Sequence, residues 1–279
     1  MEPEEFRRMM YEIAQATAPG WGSERAFIEE VVAPVRQWML RELQPQPGDT
    51  VLELAAGAGD TGFEAAAAVG ERGRLISTDF APAMLDLARR RGAELGVETV
   101  DYRLMDAERI DLETDSVDAV LCRFGYMLMP DPAAALSDTR RVLRPGGRVA
   151  LAVWGPPDRN PFFSITGMTL VERGHMPPPD PDGPGPFSMA SPERTRGLLD
   201  AAGFDSVHTE EVAVRFAFRD IDDYLTRTSN TAGPIGLALG GLSDDEHAAV
   251  REALEGALTP FAVNGGYVIP GVALVAVAG

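Results

Sequence analysis

Short apolar segments alternate with helical patterns between residues 50 and 154, and this alternation constrains the fold more than any other feature of the chain. The apolar segments are nearly unbroken, as expected for strands that are buried on both faces of a sheet. Strands that alternate with helices predict a parallel sheet with helices on both sides. The predicted strands are 50–54, 74–79, 99–104, 117–122 and 148–154, and the predicted helices are 61–69, 82–95 and 132–143.

The rest of the chain extends this pattern in both directions. We expect a doubly wound, mostly parallel α/β sheet of seven strands, Rossmann-like, over residues 47–279, and an N-terminal helical cap over residues 1–46. Segments 155–190 and 220–265 are too long for simple connections, so we expect them to be lid insertions. The other predicted helices are 4–17, 24–43, 192–202, 220–230 and 243–258, and the other predicted strands are 207–218 and the C-terminal VALVAVA segment.

Two local patterns mark where elements begin. Ser243 and Glu246 have the spacing of a capping box at the start of the last predicted helix. Residues 145–147, with the sequence PGG, predict a turn into the strand at 148–154.

The composition excludes several chemistries. The chain has 279 residues, a net charge of −18 and no lysine, so a Walker A lysine is excluded and nucleic acid is an unfavourable partner. Its single cysteine, Cys122, excludes an internal disulfide and a thiolate metal cluster. The three histidines are widely spaced and show no ligand motif. One of them, His247, is expected to face inward or toward a pocket because it shares a helical stripe with Val250, Leu254 and Leu258.

The sequence also bears on location. No apolar run reaches the roughly 18 residues that span a bilayer. The charged N-terminal residues lack the apolar region of a signal peptide. We therefore expect a cytoplasmic protein.

Residues 57–62, with the sequence GAGDTG, match the G-x-G-x-x-G pattern of nucleotide-binding turns. They follow a predicted strand and open a predicted helix, and Asp79 ends the next strand. A dinucleotide would place its pyrophosphate at the N-terminus of that helix, where a nearby carboxylate is unfavourable. Because Glu53 and Asp60 flank this position, we favour a cofactor that carries positive charge and no phosphate. S-adenosylmethionine, with its sulfonium and ammonium groups, has this character.

Residues 51–59 resemble the first motif of class I S-adenosylmethionine-dependent methyltransferases, in which an acidic residue precedes a Gly-x-Gly-x-Gly turn. Ala55 stands in place of the first glycine, so the turn must accommodate a methyl group. The chain is similar to the ubiquinone/menaquinone-biosynthesis type of this superfamily. The resemblance follows the order and spacing of the family over about residues 48–155, through segments 77–85, 105–107, 116–120 and 141–147.

The resemblance implies roles for individual residues. Asp79 would accept hydrogen bonds from both ribose hydroxyls, and Phe80 and Met84 would pack on the adenine. Asp106 would bind the adenine amino group, and Glu53 would lie at the methionine end. Core packing is the alternative for Phe80 and Met84, and a turn or helix cap is the alternative for Asp106. The predicted cofactor-binding residues are Glu53, Ala55, Gly57, Gly59, Asp79, Phe80, Met84, Asp106, Ala107, Cys122 and Arg123.

Candidates for contact with a methyl acceptor flank the same edge of the sheet. Tyr11 and Trp21 lie in the N-terminal helical region, whereas Tyr126 and Trp154 follow the fourth and fifth strands, whose carboxyl ends border ligand sites in such sheets. Core packing is an equally good interpretation of Trp21 and Trp154. The sequence shows no catalytic dyad, so no catalytic residue is assigned. A metal site is not expected, because Arg123 and Trp154, rather than carboxylates, end the fourth and fifth strands.

Several functions follow from these observations. The first is methyl transfer to an O, N or C nucleophile of a largely apolar small molecule, because aromatic and methionine residues are frequent in the expected lids. The second is an S-adenosylmethionine-binding enzyme with a non-methylating reaction, such as a cyclisation. An oxidoreductase and a non-catalytic binding module are further alternatives. The acceptor and the oligomeric state are open.

Overall fold

The strands of the computed structural model, which describes residues 3–181 and 183–279, join into one sheet. Seven of them lie in the order β3-β2-β1-β4-β5-β8-β6, and the two-residue β7 pairs with β8 beside this path. The strands in the described residues are β1 (Thr50–Glu53), β2 (Arg74–Asp79), β3 (Val100–Leu104), β4 (Val117–Arg123), β5 (Leu143–Trp154), β6 (Val207–Phe218), β7 (Ala262–Val263) and β8 (Gly266–Ala278).

The pairing of the strands confirms the predicted fold class. Strands β1 to β5 pair with one another in parallel, and β8 is antiparallel to both β5 and β6. The order reverses between β1 and β4, so their carboxyl ends border the crevice where doubly wound sheets bind ligands. The sheet is therefore the predicted seven-stranded, mostly parallel one, with a short additional strand.

Helices cover the sheet, and most of them begin and end within a few residues of their predicted bounds. Two helices, α6 and α9, lie in the segments that we expected to be lids, where the sequence predicted neither. The predicted capping box is confirmed, since Ser243 and Glu246 each bond the other's backbone amide. The helices are α1 (Pro3–Ser23), α2 (Arg25–Leu43), α3 (Asp60–Val69), α4 (Pro82–Leu95), α5 (Pro132–Val142), α6 (Pro161–Glu172), α7 (Pro192–Ala201), α8 (Ile221–Thr231), α9 (Pro234–Gly240) and α10 (Asp244–Leu258).

The predicted turn at 145–147 is part of β5 rather than a connection before it. The pairing with β4 moves from Val117 opposite Leu143 to Ala119 opposite Arg148, so four residues of β5 bulge opposite one residue of β4. Gly146, with φ of 81°, provides the left-handed conformation that this bulge requires.

Helix α1 lies against α4 and α8, and its Arg7 and Tyr11 side chains contact residues that follow the carboxyl ends of β3 and β2. Ala18 of α1 packs with Ala81, Met84 and Leu87 in a small apolar cluster that is separate from the main core. The side-chain amide oxygen of Gln15 accepts a hydrogen bond from the Ala83 backbone N–H at 2.8 Å. In the described part of the chain, none of the helices is both long and apolar enough to cross a membrane.

Candidate functional site

The glycine-rich turn lies between β1 and α3 and is bonded to the neighbouring strand. The Ala56 N–H donates to the carbonyl of Thr78 on β2 at 2.9 Å. Gly57 and Gly59 have φ values of 55° and 81°, in the left-handed region where glycine is favoured. A Cβ on Gly57 would meet no heavy atom within 4 Å, so this glycine borders open space, whereas a Cβ on Gly59 would lie 2.7 Å from the Phe63 ring.

Asp79 ends β2 and holds this turn. Its two carboxylate oxygens accept hydrogen bonds from the backbone N–H groups of Gly57 and Ala81, both at 3.0 Å. The residue is only 5% exposed, and burial raises the pKa of Asp79 to about 6. Each carboxylate oxygen can accept more than one hydrogen bond, so Asp79 retains acceptor capacity for a ligand hydroxyl.

Glu53 ends β1 and faces into the protein. Its carboxylate accepts hydrogen bonds from the Gly62 N–H at 2.7 Å and from the Ser77 hydroxyl at 3.0 Å. A Cβ on Gly62 would overlap this carboxylate, so the third glycine of the pattern makes room for Glu53. Burial is also the main reason that the pKa of Glu53 is raised to about 8. The polar contacts of Glu53 thus join β1, β2 and α3 underneath the turn.

Two non-glycine residues with left-handed backbone border the same edge. Ala55 has φ of 51° and Phe124, just after β4, has φ of 62°. Gly125 follows Phe124 in the chain. A Cβ on Gly125 would lie 2.6 Å from the Cys122 sulfur and 2.7 Å from the Ala55 methyl. The methyl group at the family's first glycine position is therefore accommodated because Gly125 has none. Strained backbone of this kind is concentrated at functional sites in proteins.

Sequence analysis did not identify Phe124, because a left-handed phenylalanine leaves no compositional signal. Its ring stacks on Trp154 with centroids 4.2 Å apart and planes 13° apart. Trp154 is 6% exposed and also contacts the Phe163 ring, with centroids 5.0 Å apart. These rings bring the carboxyl ends of β4 and β5 together with α6.

The residues predicted to contact adenine lie at the ends of β2 and β3. Phe80 and Met84 pack on the cluster beneath α1, which agrees with either a cofactor contact or core packing. The Asp106 carboxylate accepts a hydrogen bond from the Glu108 N–H at 2.9 Å and remains half exposed. Ala107 is buried. Arg7 of α1 pairs with Glu108 at 2.7 Å and lies 3.8 Å from Asp106.

Cys122 and Arg123 end β4 beneath the turn. The Cys122 thiol is fully buried, and burial raises its pKa to about 12. The Arg123 guanidinium donates to the Glu29 carboxylate of α2 at 2.7 Å, and Glu29 also pairs with Arg36. Arg123 is thus held by α2 in this structure.

The four residues predicted to contact an acceptor lie in different surroundings. Tyr11 is 39% exposed and its ring meets Phe80 edge-on. Trp21 is half-buried on the cluster beneath α1, and Trp154 lies in the aromatic group described above. Tyr126 is fully buried, and its hydroxyl hydrogen-bonds to Thr139 of α5 at 2.6 Å, which gives this residue a core position.

The expectation for His247 is wrong. This side chain is exposed on α10, whereas Val250, three residues later, is buried. Three residues correspond to slightly less than one turn, so His247 lies at the rim of the apolar stripe rather than within it.

The chemistry of this edge fits the cofactor that the resemblance implies. Gly57 borders open space, and Asp79 beside it offers carboxylate oxygens suited to a vicinal diol. At the start of α3, one carboxylate oxygen of Asp60 and the Thr61 hydroxyl are buried without a hydrogen-bond partner among the described residues. A nucleoside joined to a charged amino acid would find polar partners here.

The central region of the chain is similar to known methyltransferases. Residues 34–158 match the model of the ubiE/COQ5 methyltransferase family. An arsenite methyltransferase of Halobacterium salinarum is 34% identical over 188 residues, which cover 64% of this chain and 45% of that protein. A demethylmenaquinone methyltransferase of Clavibacter sepedonicus is 35% identical over 135 residues, 48% of this chain and 49% of that protein.

A solved structure shows the same fold over nearly the whole chain. Phosphoethanolamine N-methyltransferase 2 of Haemonchus contortus, solved with S-adenosylhomocysteine, has a TM-score of 0.61 at 17% identity and covers 98% of this chain and 60% of that one. The chain spans about half the length of the curated relatives it matches. Residues 34–158 thus match the ubiE/COQ5 methyltransferase family model, in agreement with the resemblance seen in the sequence.

Proposed function

We propose that this chain binds S-adenosylmethionine at the carboxyl ends of β1, β2 and β4 and transfers its methyl group to an O, N or C nucleophile of a largely apolar small molecule. The observation that carries the proposal is the buried Asp79 carboxylate, fixed by the N–H of Gly57 next to the open space that this glycine borders. A carboxylate held in this way is prepared to accept two ribose hydroxyls without reorganisation.

Each residue of the edge has a role in this proposal. Asp79 binds the ribose, and Asp106 with the Ala107 amide binds the adenine edge between Phe80 and Met84. Gly57 and Gly59 let the backbone approach the cofactor. Glu53 supports the turn without touching the cofactor, since both of its oxygens are bonded within the protein. Arg123 is held by Glu29 and contributes positive charge near the methionine end of the cofactor.

The protein's part in the chemistry is positioning. When bound, the cofactor supplies a methyl group on a sulfonium, a good leaving group. Alignment of two reactants in a site can contribute about 7–11 kcal/mol. Trp154 and Phe124 form an aromatic wall at the ends of β4 and β5 that would exclude water and bind an apolar acceptor. No side chain is assigned as a general base.

The named substrates of the relatives fit this chain unequally. Trivalent arsenic is a soft acceptor and prefers thiolate ligands. Cys122 is this chain's single cysteine, it is buried, and its pKa is raised to about 12. An apolar organic acceptor, the class to which a demethylmenaquinone belongs, therefore agrees better with the aromatic wall. The net charge of −18 favours neutral or cationic acceptors. We expect the protein to be cytoplasmic.

Calorimetry with S-adenosylhomocysteine and NAD tests the cofactor. We expect the first to bind and to raise the melting temperature, and NAD to do neither. Gly57→Ala places a methyl group in open space and should weaken S-adenosylhomocysteine about tenfold or more. The left-handed backbone of Gly57 should also lower the stability of the variant by about 1 kcal/mol, so its folding is checked by its melting temperature. Asp86→Asn, an exposed carboxylate of α4, serves as a control that leaves the affinity unchanged.

Transfer of labelled methyl groups to a panel of apolar acceptors tests the reaction. Stabilisation by NAD alone would contradict the cofactor assignment. Binding of S-adenosylmethionine with turnover of an acceptor but no methylated product would instead support the non-methylating alternative.

A further inference from the structure

A cavity of about 280 Å³ lies between α1, the first residue of α2, the glycine-rich turn and α4. Three arginine side chains line it, Arg25 from α2 and Arg90 and Arg91 from α4. Glu94 is the acidic residue of its lining. We refer to this cavity as the arginine pocket. Such a concentration of guanidinium groups stands out in a chain whose net charge is −18.

Two of the three arginines are held in place from inside the protein. One carboxylate oxygen of Asp60 accepts hydrogen bonds from Arg25 at 3.0 Å and from Arg91 at 3.3 Å. Asp60 is 9% exposed, so its carboxylate is a fixed anchor rather than a mobile surface group. Arg91 also donates to the Glu94 carboxylate at 3.1 Å. A guanidinium carries five N–H donors, so both arginines keep further donors for a ligand.

Arg90 is different, because it makes no hydrogen bond or ion pair with any described residue. It is an exposed residue of α4, and its neighbour Arg89 pairs instead with Asp86. Three guanidinium groups thus face two carboxylates, those of Glu94 and Asp60, which leaves a local excess of one positive charge. An anion in the pocket would give this excess charge a partner.

Part of the pocket lining is apolar and closely packed. A Cβ on Gly22 would lie 2.8 Å from a methyl carbon of Leu87, so α1 packs closely on α4 at this point. Pro19 and Ala58 complete this apolar part of the lining. A ligand with an oxyanion and a small apolar body would match both parts of the pocket.

A second cavity at the surface lacks these features. It is lined by Arg103 and Arg141 together with Asp111 and Glu113, so its charges balance. Arg103 is already bonded by Asp101, at 2.6 and 2.8 Å. An excess of unpaired positive charge distinguishes the arginine pocket from it.

We infer that the arginine pocket binds a small molecule through an oxyanion of the phosphate or carboxylate type, on the α4 side of the glycine-rich turn and separately from the cofactor site proposed beside Asp79. The bound oxyanion is shared by α2 and α4 and lies against Ala58, between the two glycines of the turn. Its presence links Arg25 of α2 to α4 and stabilises the packing of α1 on α4. The inference does not require methyl transfer, because it rests on the pocket alone.

Titration calorimetry with inorganic phosphate, and separately with acetate, tests the site at constant ionic strength. We expect phosphate or acetate to bind with one site per chain, and the tighter of the two identifies the ligand class. Arg90→Gln should weaken that binding about tenfold without loss of melting temperature, because Arg90 holds no other residue. The matched variant Arg89→Gln, one position away, should leave it unchanged. Equal affinity in the wild type and Arg90→Gln, or no binding of either probe, would overturn the inference.

A second titration, with S-adenosylhomocysteine at saturation, tests the separation of the two sites. Retained phosphate or acetate affinity supports a separate site. Loss of that affinity would mean that the pocket takes the cofactor's own carboxylate, and the inference of a second site would be wrong. If S-adenosylhomocysteine does not bind at all, the proposed function fails, while the comparison of Arg90→Gln with Arg89→Gln still decides the pocket.

Discussion

At the scale of single residues, two buried carboxyl groups at neighbouring strand ends perform different tasks. Asp79 bonds the N–H of Gly57 and so fixes the turn from the side, next to open space. Glu53 bonds the N–H of Gly62 and the hydroxyl of Ser77, both inside the protein. Similar positions in the sequence pattern therefore lead to one acid beside open space and one structural acid.

The structural acid should make stability depend on pH. The pKa of Glu53 is raised from 4.5 to about 8 in the folded chain, so the folded state holds this proton more tightly than the unfolded state. Ionisation of Glu53 therefore opposes folding, and its contribution to stability falls as pH rises from about 4.5 to 8. Between pH 7 and 9, Glu53 is already ionised in the unfolded chain, whereas in the folded chain it loses its proton. The unfolding free energy therefore falls by about 1.4 kcal/mol over this range.

Glu53→Gln should abolish this loss. Glutamine keeps an oxygen for the Gly62 N–H and has no proton to lose, so the difference in unfolding free energy between variant and wild type should grow by about 1.4 kcal/mol from pH 7 to 9. Urea denaturation at the two pH values measures it. The pKa of Asp79 is about 6, below this window, so Asp79 does not contribute. A constant difference across the window would contradict the assignment.

The residue scale is also where sequence analysis reached its limit. The spacing of Glu53, Gly57 and Asp79 was enough to predict that they meet at one edge, because parallel strands align their carboxyl ends. It gave no sign that Gly62 is required by the Glu53 carboxylate, or that Phe124 has a left-handed backbone. Both depend on contacts between separate segments of the chain. The core position of Tyr126 was missed for the same reason, because it depends on a hydrogen bond between the Tyr126 and Thr139 hydroxyls.

At the scale of elements, helix α1 supplies the side-chain cap that α4 lacks at its N-terminus. Ala81 precedes α4 and offers no side-chain cap, and Pro82 occupies the first turn. The Gln15 side chain reaches from α1 to the free N–H of Ala83 at 2.8 Å. The cap of one helix is therefore a contact between two helices, so it also attaches α1 over the ends of the strands.

Gln15→Ala should leave the Ala83 N–H without a partner. Loss of a helix cap typically costs about 1 kcal/mol, so we expect a decrease of this size in unfolding free energy and faster hydrogen exchange at Ala83. Glu12→Ala, an exposed change on the same helix, should alter stability by less than about 0.5 kcal/mol. Equal effects of the two changes would mean that the contact does not hold α1.

Whole elements were more predictable than their contacts. The parallel strands and the helices between them follow from apolar periodicity and from proline and glycine at their ends, which are local signals. Helices α6 and α9 were missed because glycine and proline dominate their surroundings, and α9 has only seven residues. Their formation depends on packing against α10, α8 and each other, which periodicity does not register.

At the scale of the whole molecule, charge is the dominant electrostatic property. The chain has 43 acidic and 25 basic residues, so at neutral pH 18 negative charges lack a counterpart of opposite sign. Salt screens this repulsion, and it also screens the attraction in exposed ion pairs, each of which contributes only about 0–1 kcal/mol. Because repulsion acts among all the unbalanced charges, we expect its screening to dominate.

The melting temperature should therefore rise by a few degrees between about 10 mM and 300 mM sodium chloride at pH 7.5, since the Debye length falls from about 30 Å to below 10 Å over this range. Salt also acts on the hydration of apolar groups, so the same comparison is needed where the net charge vanishes. The isoelectric point is about 4.5, and at that pH the rise should disappear or reverse as screening of the ion pairs becomes the larger effect. A rise of equal size at both pH values would show that apolar hydration, rather than charge repulsion, governs the response to salt. In that case the excess of acidic residues would not limit the stability of this fold.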